Sequence, residues 1–146
     1  MLNFLGILLA GIFTFLSLLH FYWGITGITA DATVIPSDRD GRLLFRPSRF
    51  DCIVVGLGLA VFATLVLIKS DWIRLSPLSR IADIGLWVIA GLFLLRAIGD
   101  FKYVGITKKI KTTAFARMDN RYYIPLCLFI VLMALLLSLF GINRPG

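Results

Sequence analysis

Two short polar segments contain the side chains that could carry chemistry in this hydrophobic chain. The first is His20-Phe21-Tyr22-Trp23, and the second runs from Arg96 to Tyr103. An ionisable group where a hydrophobic stretch leaves a bilayer is costly unless it is paired, so it marks a candidate functional site. Arg96 could hold an anionic headgroup or a carboxylate, with Asp100 fixing the guanidinium. His20 could shuttle a proton, because imidazole titrates near physiological pH.

Helical rise places these two segments at a similar depth. At about 1.5 Å per residue, His20 lies roughly 27 Å from Leu2, and Arg96 lies at almost the same distance from Leu78. His20, Arg96 and Asp100 could therefore share one layer. Arg96 and Asp100 are four residues apart, which would allow a local ion pair on one helix. The alternative is that Arg96 extends to lipid phosphate and Asp100 only balances the basic connection.

A second candidate site lies in the third hydrophobic stretch. Asp83 and Trp87 are four residues apart and so point the same way on a helix. Trp87 could stack on a cation or a ring beside the Asp83 carboxylate. The alternative is that Asp83 pairs with Arg80 or meets water near the surface. The predicted ligand-binding residues are His20, Tyr22, Trp23, Asp83, Trp87, Arg96, Asp100 and Tyr103.

The composition that must position these residues is typical of an integral membrane protein. The 146-residue chain is 59% hydrophobic, with a mean hydropathy of +0.92. Four apolar segments approach the roughly 20 residues that cross a bilayer as a helix. The predicted helices cover about 2–23, 52–68, 78–98 and 123–142. Because short connections favour antiparallel neighbours, we predict one domain, 1–146, an all-α four-helix transmembrane bundle with up-down topology.

Basic residues are unevenly distributed among the connections. Eleven of the 15 lysines and arginines fall in the first and third connections, counting Arg96. The positive-inside rule places these connections in the cytoplasm and both termini on the outer side. The net charge of +7 then reflects topology and contact with anionic headgroups, and no nucleic-acid partner is predicted. The predicted location is the bacterial cytoplasmic (inner) membrane, as a multi-pass protein.

The cysteine and histidine content limits redox and cofactor chemistry. Cys52 and Cys127 are the only cysteines of the 146 residues, and they do not form the Cys-x-x-Cys pair of a thiol oxidoreductase. His20 is the only histidine, which excludes a bis-histidine haem site within the chain. No catalytic residue set, metal or cofactor is predicted.

Local signals predict helix starts and packing faces. Ser48 followed by Asp51 matches a capping box for the second helix. Small residues recur every four positions in that helix, at Gly56, Ala60 and Thr64, and this allows close approach of a neighbour.

The third connection offers two alternatives. Ile110, Ala114 and Phe115 among basic residues suit a short interfacial helix that dips into the bilayer, and a solvated basic loop is the other interpretation. In either case the segment could close over Arg96 and Asp100. Asp119 or the adjacent asparagine would then cap the fourth helix.

Three motifs together resemble a family of small bacterial four-helix membrane proteins catalogued only as a domain of unknown function. The motifs are His20-Phe21-Tyr22-Trp23-Gly24, then Arg96-x-x-Gly99-Asp100-Phe101-x-Tyr103-x-Gly105, then Phe115-Ala116-x-x-Asp119 followed by Tyr123-x-Pro125-Leu126-Cys127. The resemblance covers nearly the whole chain. It implies the four-helix fold and no established activity.

Four functions remain open on the sequence alone. The first is binding of a lipid or lipophilic small molecule in a cavity walled by His20, Trp23 and Trp87. The second is an accessory subunit of a larger membrane complex, which predicts a filled core and a protein partner or homodimer. The third is a lipid-modifying enzyme with His20 as general base and Asp100 as its orienter. The fourth is a dimeric proton-coupled transporter that uses Asp83.

Overall fold

Helices account for most of the chain. The computed structural model describes residues 2–27 and 33–141. The helices are α1 (Leu2–Thr26), α2 (Arg49–Lys69), α3 (Ser79–Ile98), α4 (Ala114–Met118) and α5 (Ile124–Phe140). A 3₁₀ turn at Ser76–Leu78 leads into α3, and a π-helical turn at Asp119–Tyr123 joins α4 to α5. Three of these helices and the continuous segment Ala114–Phe140 are long and apolar enough to cross a membrane.

The four spans form two antiparallel pairs. α1 packs mainly on α2, and α3 packs mainly on α5, while smaller contacts of α2 with α3 and of α1 with α5 close the ring. The predicted all-α, four-helix, up-down fold is therefore confirmed. Which side of the membrane the termini face stays a prediction.

The space between the spans is filled by side chains. Phe13 of α1 is fully buried at the centre, with its ring 5.7 Å from that of Phe62 and 5.6 Å from that of Phe93. Leu86, Ile130 and other aliphatic side chains from the four spans complete this core. Tight interior packing is what gives such a bundle one arrangement, since lipid tails are as apolar as the helix surfaces.

Helix boundaries follow local chemistry at α2. The predicted capping box is present, because the Ser48 hydroxyl accepts from the Asp51 N–H at 3.1 Å and the Asp51 carboxylate accepts from the Ser48 N–H at 2.8 Å. Of the predicted small-residue face, only Gly56 is in close contact with α1, whereas Ala60 is half-buried and Thr64 is exposed. Gly56 is buried beside Phe21, and its carbonyl accepts a 2.7 Å hydrogen bond from the Ser17 hydroxyl.

The fourth span begins nine residues before its predicted start. Its N-cap is Thr113, whose hydroxyl accepts from the Ala116 N–H at 3.1 Å. The expectation that Asp119 or Asn120 caps this helix is wrong, because both residues lie inside the helical segment, in the π turn. The predicted end of the span at residue 142 lies outside the described residues.

Substitution of Gly6 by alanine should destabilise the bundle. An added methyl group at this position collides with the Ser70 side chain, where α1 meets the end of α2. Overpacking of this kind costs about 1–3 kcal/mol. The measurement is the thermal unfolding midpoint in detergent, followed by circular dichroism.

Gly11→Ala is the matched control, because nothing lies within 4 Å of its added methyl group. The double variant G6A/S70G should recover most of the loss, since it removes the colliding atoms. Equal unfolding midpoints for the Gly6→Ala and Gly11→Ala variants would contradict this packing.

Candidate functional site

A fully buried carboxylate lies at the end of the bundle that carries the described part of loop one (33–48) and loop three (99–113), which we call the charged end. Asp119 has no exposed surface. Its Oδ1 accepts a 2.9 Å bond from Arg96 Nη2, and its Oδ2 accepts 2.9 Å bonds from the Gly105 N–H and from Lys108 Nζ. These four residues are the Asp119 cluster. It joins α3, loop three and the π turn.

Lys108 is the least expected member of the Asp119 cluster. Only 1% of its side chain is exposed. Its ammonium group donates to Asp119 Oδ2, to the Gly105 carbonyl at 2.9 Å and to Asn120 Oδ1, which uses all three of its protons. A buried charge is tolerated only when it is paired and hydrogen-bonded in this way. Lys108 is therefore not a solvated residue of a basic loop.

Arg96 is bound to the same carboxylate but keeps further donors. Its side chain is 35% exposed. Nη2 is bonded to Asp119, whereas Nη1 is buried and has no hydrogen-bond partner among the described residues. An orphaned buried N–H is costly, and water or a polar ligand atom is its usual partner.

Loop three folds back tightly on the end of α3. The Ile106 N–H donates to the Ala97 carbonyl at 2.8 Å, and the Thr107 hydroxyl donates to the Ile98 carbonyl at 2.7 Å. Gly105 has a φ of +84° and contacts the α3 backbone so closely that a side chain at this position would collide with Ile98 and Gly99. These contacts satisfy carbonyls that the helix end would otherwise leave open.

Asp100 organises the first turn of loop three. Its Oδ1 accepts from the N–H groups of Lys102, Tyr103 and Val104 at 3.0, 2.7 and 2.8 Å. Partial burial alone would raise the pKa of this carboxyl, but the N–H groups of Val104, Tyr103 and Lys102 outweigh that effect and hold the pKa below its usual value. The residue is exposed and ionised at neutral pH.

Three basic side chains from two loops surround an open depression at the charged end, with a volume of ≈ 430 Å³. Its lining residues are Arg39, Asp100, Phe101, Lys102, Lys109 and Ile110. The Lys102 carbonyl accepts from the Lys109 N–H at 3.2 Å and from the Ile110 N–H at 3.0 Å, so backbone bonds hold the two lysines on facing arms of loop three. Arg39 reaches the same depression from loop one. We call this feature the basic depression.

The structure changes the partners of three predicted site residues. The local Arg96–Asp100 ion pair does not form, because α3 ends at Ile98 and Asp100 turns into loop three. Arg96 pairs with Asp119 instead. Asp83 pairs with Lys69 of α2, not with Arg80.

The remaining predicted residues do not surround one cavity. His20 Nδ1 donates to the Leu16 carbonyl at 2.8 Å, and its ring meets that of Trp23 at 5.1 Å. Trp87 is 53% exposed and, by helical rise, lies about 15 Å from the His20 layer along the bundle. Tyr22 is also exposed. Tyr103 is half-buried, with Lys102 Nζ 5.0 Å from the centre of its ring.

Two of the apolar residues that one alternative placed in the bilayer are buried in the protein. Ile110 and Phe115 are only 9% and 2% exposed. Sequence reasoning thus missed Lys108 and Asp119 as paired core residues and Arg39 as a lining residue. One signal could have pointed to Asp119, namely its place in the Phe115-Ala116-x-x-Asp119 motif.

Removal of the Asp119 charge should strongly destabilise the protein. Asp119→Asn leaves Lys108 buried without its counter-ion, and losing one partner of a buried pair costs about 3–5 kcal/mol. The thermal unfolding midpoint in detergent should fall by many degrees. Asp40→Asn, which removes an exposed carboxylate, should have little effect, and comparable losses in the two variants would show that the Asp119 cluster does not hold the charged end.

Loop three should loosen only at strongly acidic pH. The folded-state pKa of Asp100 lies below the unfolded value of about 3.9, so its stabilising contribution is present above that pH and is lost as pH falls through the lowered pKa. Hydrogen-exchange protection of the Lys102, Tyr103 and Val104 amides, corrected for intrinsic rates, should stay constant down to about pH 4. Loss of protection beginning near pH 6, with α2 amides still protected, would contradict this assignment.

Comparison with known proteins supplies a family and no activity. The family model described as "Protein of unknown function (DUF3995)" matches residues 13–134, which include most of the core, the basic depression and the Asp119 cluster. Neither the comparison with curated proteins nor the comparison with solved structures returns a match. The match covers most of the 146 residues, and the chain, whose described residues include four helices long and apolar enough to cross a membrane, therefore belongs to the DUF3995 family.

Proposed function

We propose that this protein binds the phosphate-bearing headgroup of an anionic membrane lipid in the basic depression at its charged end. The observation that carries the proposal is the convergence of Arg39, Lys102 and Lys109 on one concave surface. Three like charges around one depression are mutually unfavourable, and Asp100 is the one acidic residue among the described lining residues. A bound anion would relieve that repulsion.

The loop geometry supports a defined site. Lys102 and Lys109 lie on arms joined by two backbone hydrogen bonds, and the Asp100 turn fixes the first arm through three more. The Asp119 cluster anchors the base of the same loop. The backbone that carries the two lysines is therefore already ordered, which lowers the ordering cost of binding.

The surroundings of the depression favour a lipid over a soluble phosphate. In the sequence, the two connections with the helix turns that flank them, residues 27–51 and 96–121, contain eleven of the 15 basic residues and six of the eight acidic ones, a net charge of +5. Each basic residue near an anionic bilayer surface adds about 1 kcal/mol of attraction. Phe101 lines the depression and is 62% exposed, so an apolar group is available to contact the glycerol or acyl region.

Binding of a lipid inside the bundle has less support. A cavity walled by His20, Trp23 and Trp87 would need space that Phe13 and the other core side chains occupy. The proposal therefore moves lipid binding from the interior to the charged end.

A second candidate function is an accessory subunit of a larger membrane complex. The filled core favours it, because a bundle without interior space is what a packing subunit requires. Stoichiometric co-purification of another membrane protein, without a specifically bound lipid, would move this candidate to the front.

Loss of the three cations should weaken lipid binding. In native mass spectrometry of protein released from nanodiscs of phosphatidylcholine with phosphatidylglycerol, the wild type should retain the anionic lipid. The triple variant R39A/K102A/K109A should retain it at least about tenfold less, because several charge-assisted contacts are lost.

The matched control is R42A/R46A/K111A. It removes the same charge from the same two loops but spares the lining of the depression. If both triple variants lost the same amount of retained lipid, general surface charge would explain the retention, and a defined site would be contradicted.

A further inference from the structure

We infer that the basic depression recognises a hydroxyl group beside the phosphate, so that it selects a polyol phosphate headgroup of the phosphatidylglycerol type. This inference rests on the proposed function, because it concerns the same site. It follows from one residue that a simple phosphate site would not contain. Asp100 places a carboxylate among Arg39, Lys102 and Lys109.

Only one oxygen of the Asp100 carboxylate accepts hydrogen bonds from the loop backbone. Oδ1 accepts all three hydrogen bonds from the loop backbone, and Oδ2 takes part in none of them. A carboxylate can accept about four hydrogen bonds, so acceptor capacity remains at a group whose position is already set. Asp100 is exposed and lines the depression, which makes that capacity available to a ligand.

An ionised phosphate cannot satisfy this oxygen. A phosphate diester has no proton to donate, and its charge is repelled by a carboxylate. A hydroxyl group is the complementary partner, because it donates to a carboxylate in a short charge-assisted bond. The low pKa of Asp100 keeps the carboxylate ionised even beside an acidic membrane surface.

An ammonium group is the other donor that a lipid headgroup could offer. The surrounding cations disfavour it, since Arg39, Lys102 and Lys109 would repel a second positive charge in the same depression. A neutral hydroxyl avoids that repulsion. The expected ligand therefore places its phosphate on the cations and its hydroxyl on Asp100.

The test compares two lipids of equal charge that differ only in hydroxyl groups. Phosphatidylglycerol and phosphatidylpropanol are presented at equal fractions in phosphatidylcholine nanodiscs, and the lipid retained by the protein is measured by native mass spectrometry. The wild type should prefer phosphatidylglycerol by about tenfold, the effect of one well-placed hydrogen bond to a charged group.

Asp100→Asn is the diagnostic variant. Its amide oxygen can still accept the three loop N–H groups, but the second position becomes a donor. The ratio of phosphatidylglycerol to phosphatidylpropanol retained should fall several-fold relative to the wild type, because the charge-assisted bond from the hydroxyl is lost. Glycerol 3-phosphate is a soluble source of the same chemistry, and at the same concentration as the lipid it should not displace the bound lipid. Displacement under that condition would overturn the lipid assignment.

The outcomes separate the two proposals. Equal retention of both lipids by the wild type overturns hydroxyl recognition and leaves headgroup binding intact. Retention of neither lipid overturns both. The wild-type comparison needs no folded variant, so the inference can be refuted even if Asp100→Asn is unstable.

Discussion

The charged end of this bundle depends on one buried carboxylate. Asp119 accepts hydrogen bonds from α3 through Arg96, from the loop backbone through Gly105, and from a fully enclosed Lys108. Because burying charged groups costs desolvation free energy, the Asp119 cluster is not by itself evidence of high stability. Removal of one of its partners is nevertheless strongly destabilising, since it leaves an uncompensated buried charge. Its effect is therefore positional: together with the buried side chains of Ile110 and Phe115, it sets one arrangement of a long connection.

That arrangement of loop three explains why a polar binding site would lie at the charged end and not inside the bundle. The core is filled and apolar, and the exposed sides of the spans are apolar too. In a bilayer, irregular backbone is tolerated only where protein or water satisfies it. Loop three meets this condition by returning its N–H groups to α3 carbonyls and to Asp100 and Asp119. A well-satisfied loop can hold side chains in place for a ligand.

Hydrophobicity and spacing predicted the spans, the up-down fold and the Ser48–Asp51 capping box, because each depends on local sequence. The long-range partners could not be read in the same way. Arg96 lies four residues from Asp100 and 23 from Asp119, and only the end of α3 at Ile98 decides between them. The sequence predicted Asp119 as a helix cap, because polar residues of this type usually mark a helix start. The π turn placed it inside the helix instead.

Asp119 and Asp100 both accept hydrogen bonds from loop three, but they have different roles. Asp119 uses both oxygens on protein donors and is sealed from solvent, so its contribution is structural. Asp100 uses one oxygen on the loop and remains at the surface with the other. A residue that needed only to cap a turn could be asparagine or serine, because both accept backbone N–H bonds. The full negative charge of Asp100 also offsets the three cations around it, and its second oxygen is the acceptor that the proposed ligand hydroxyl would use.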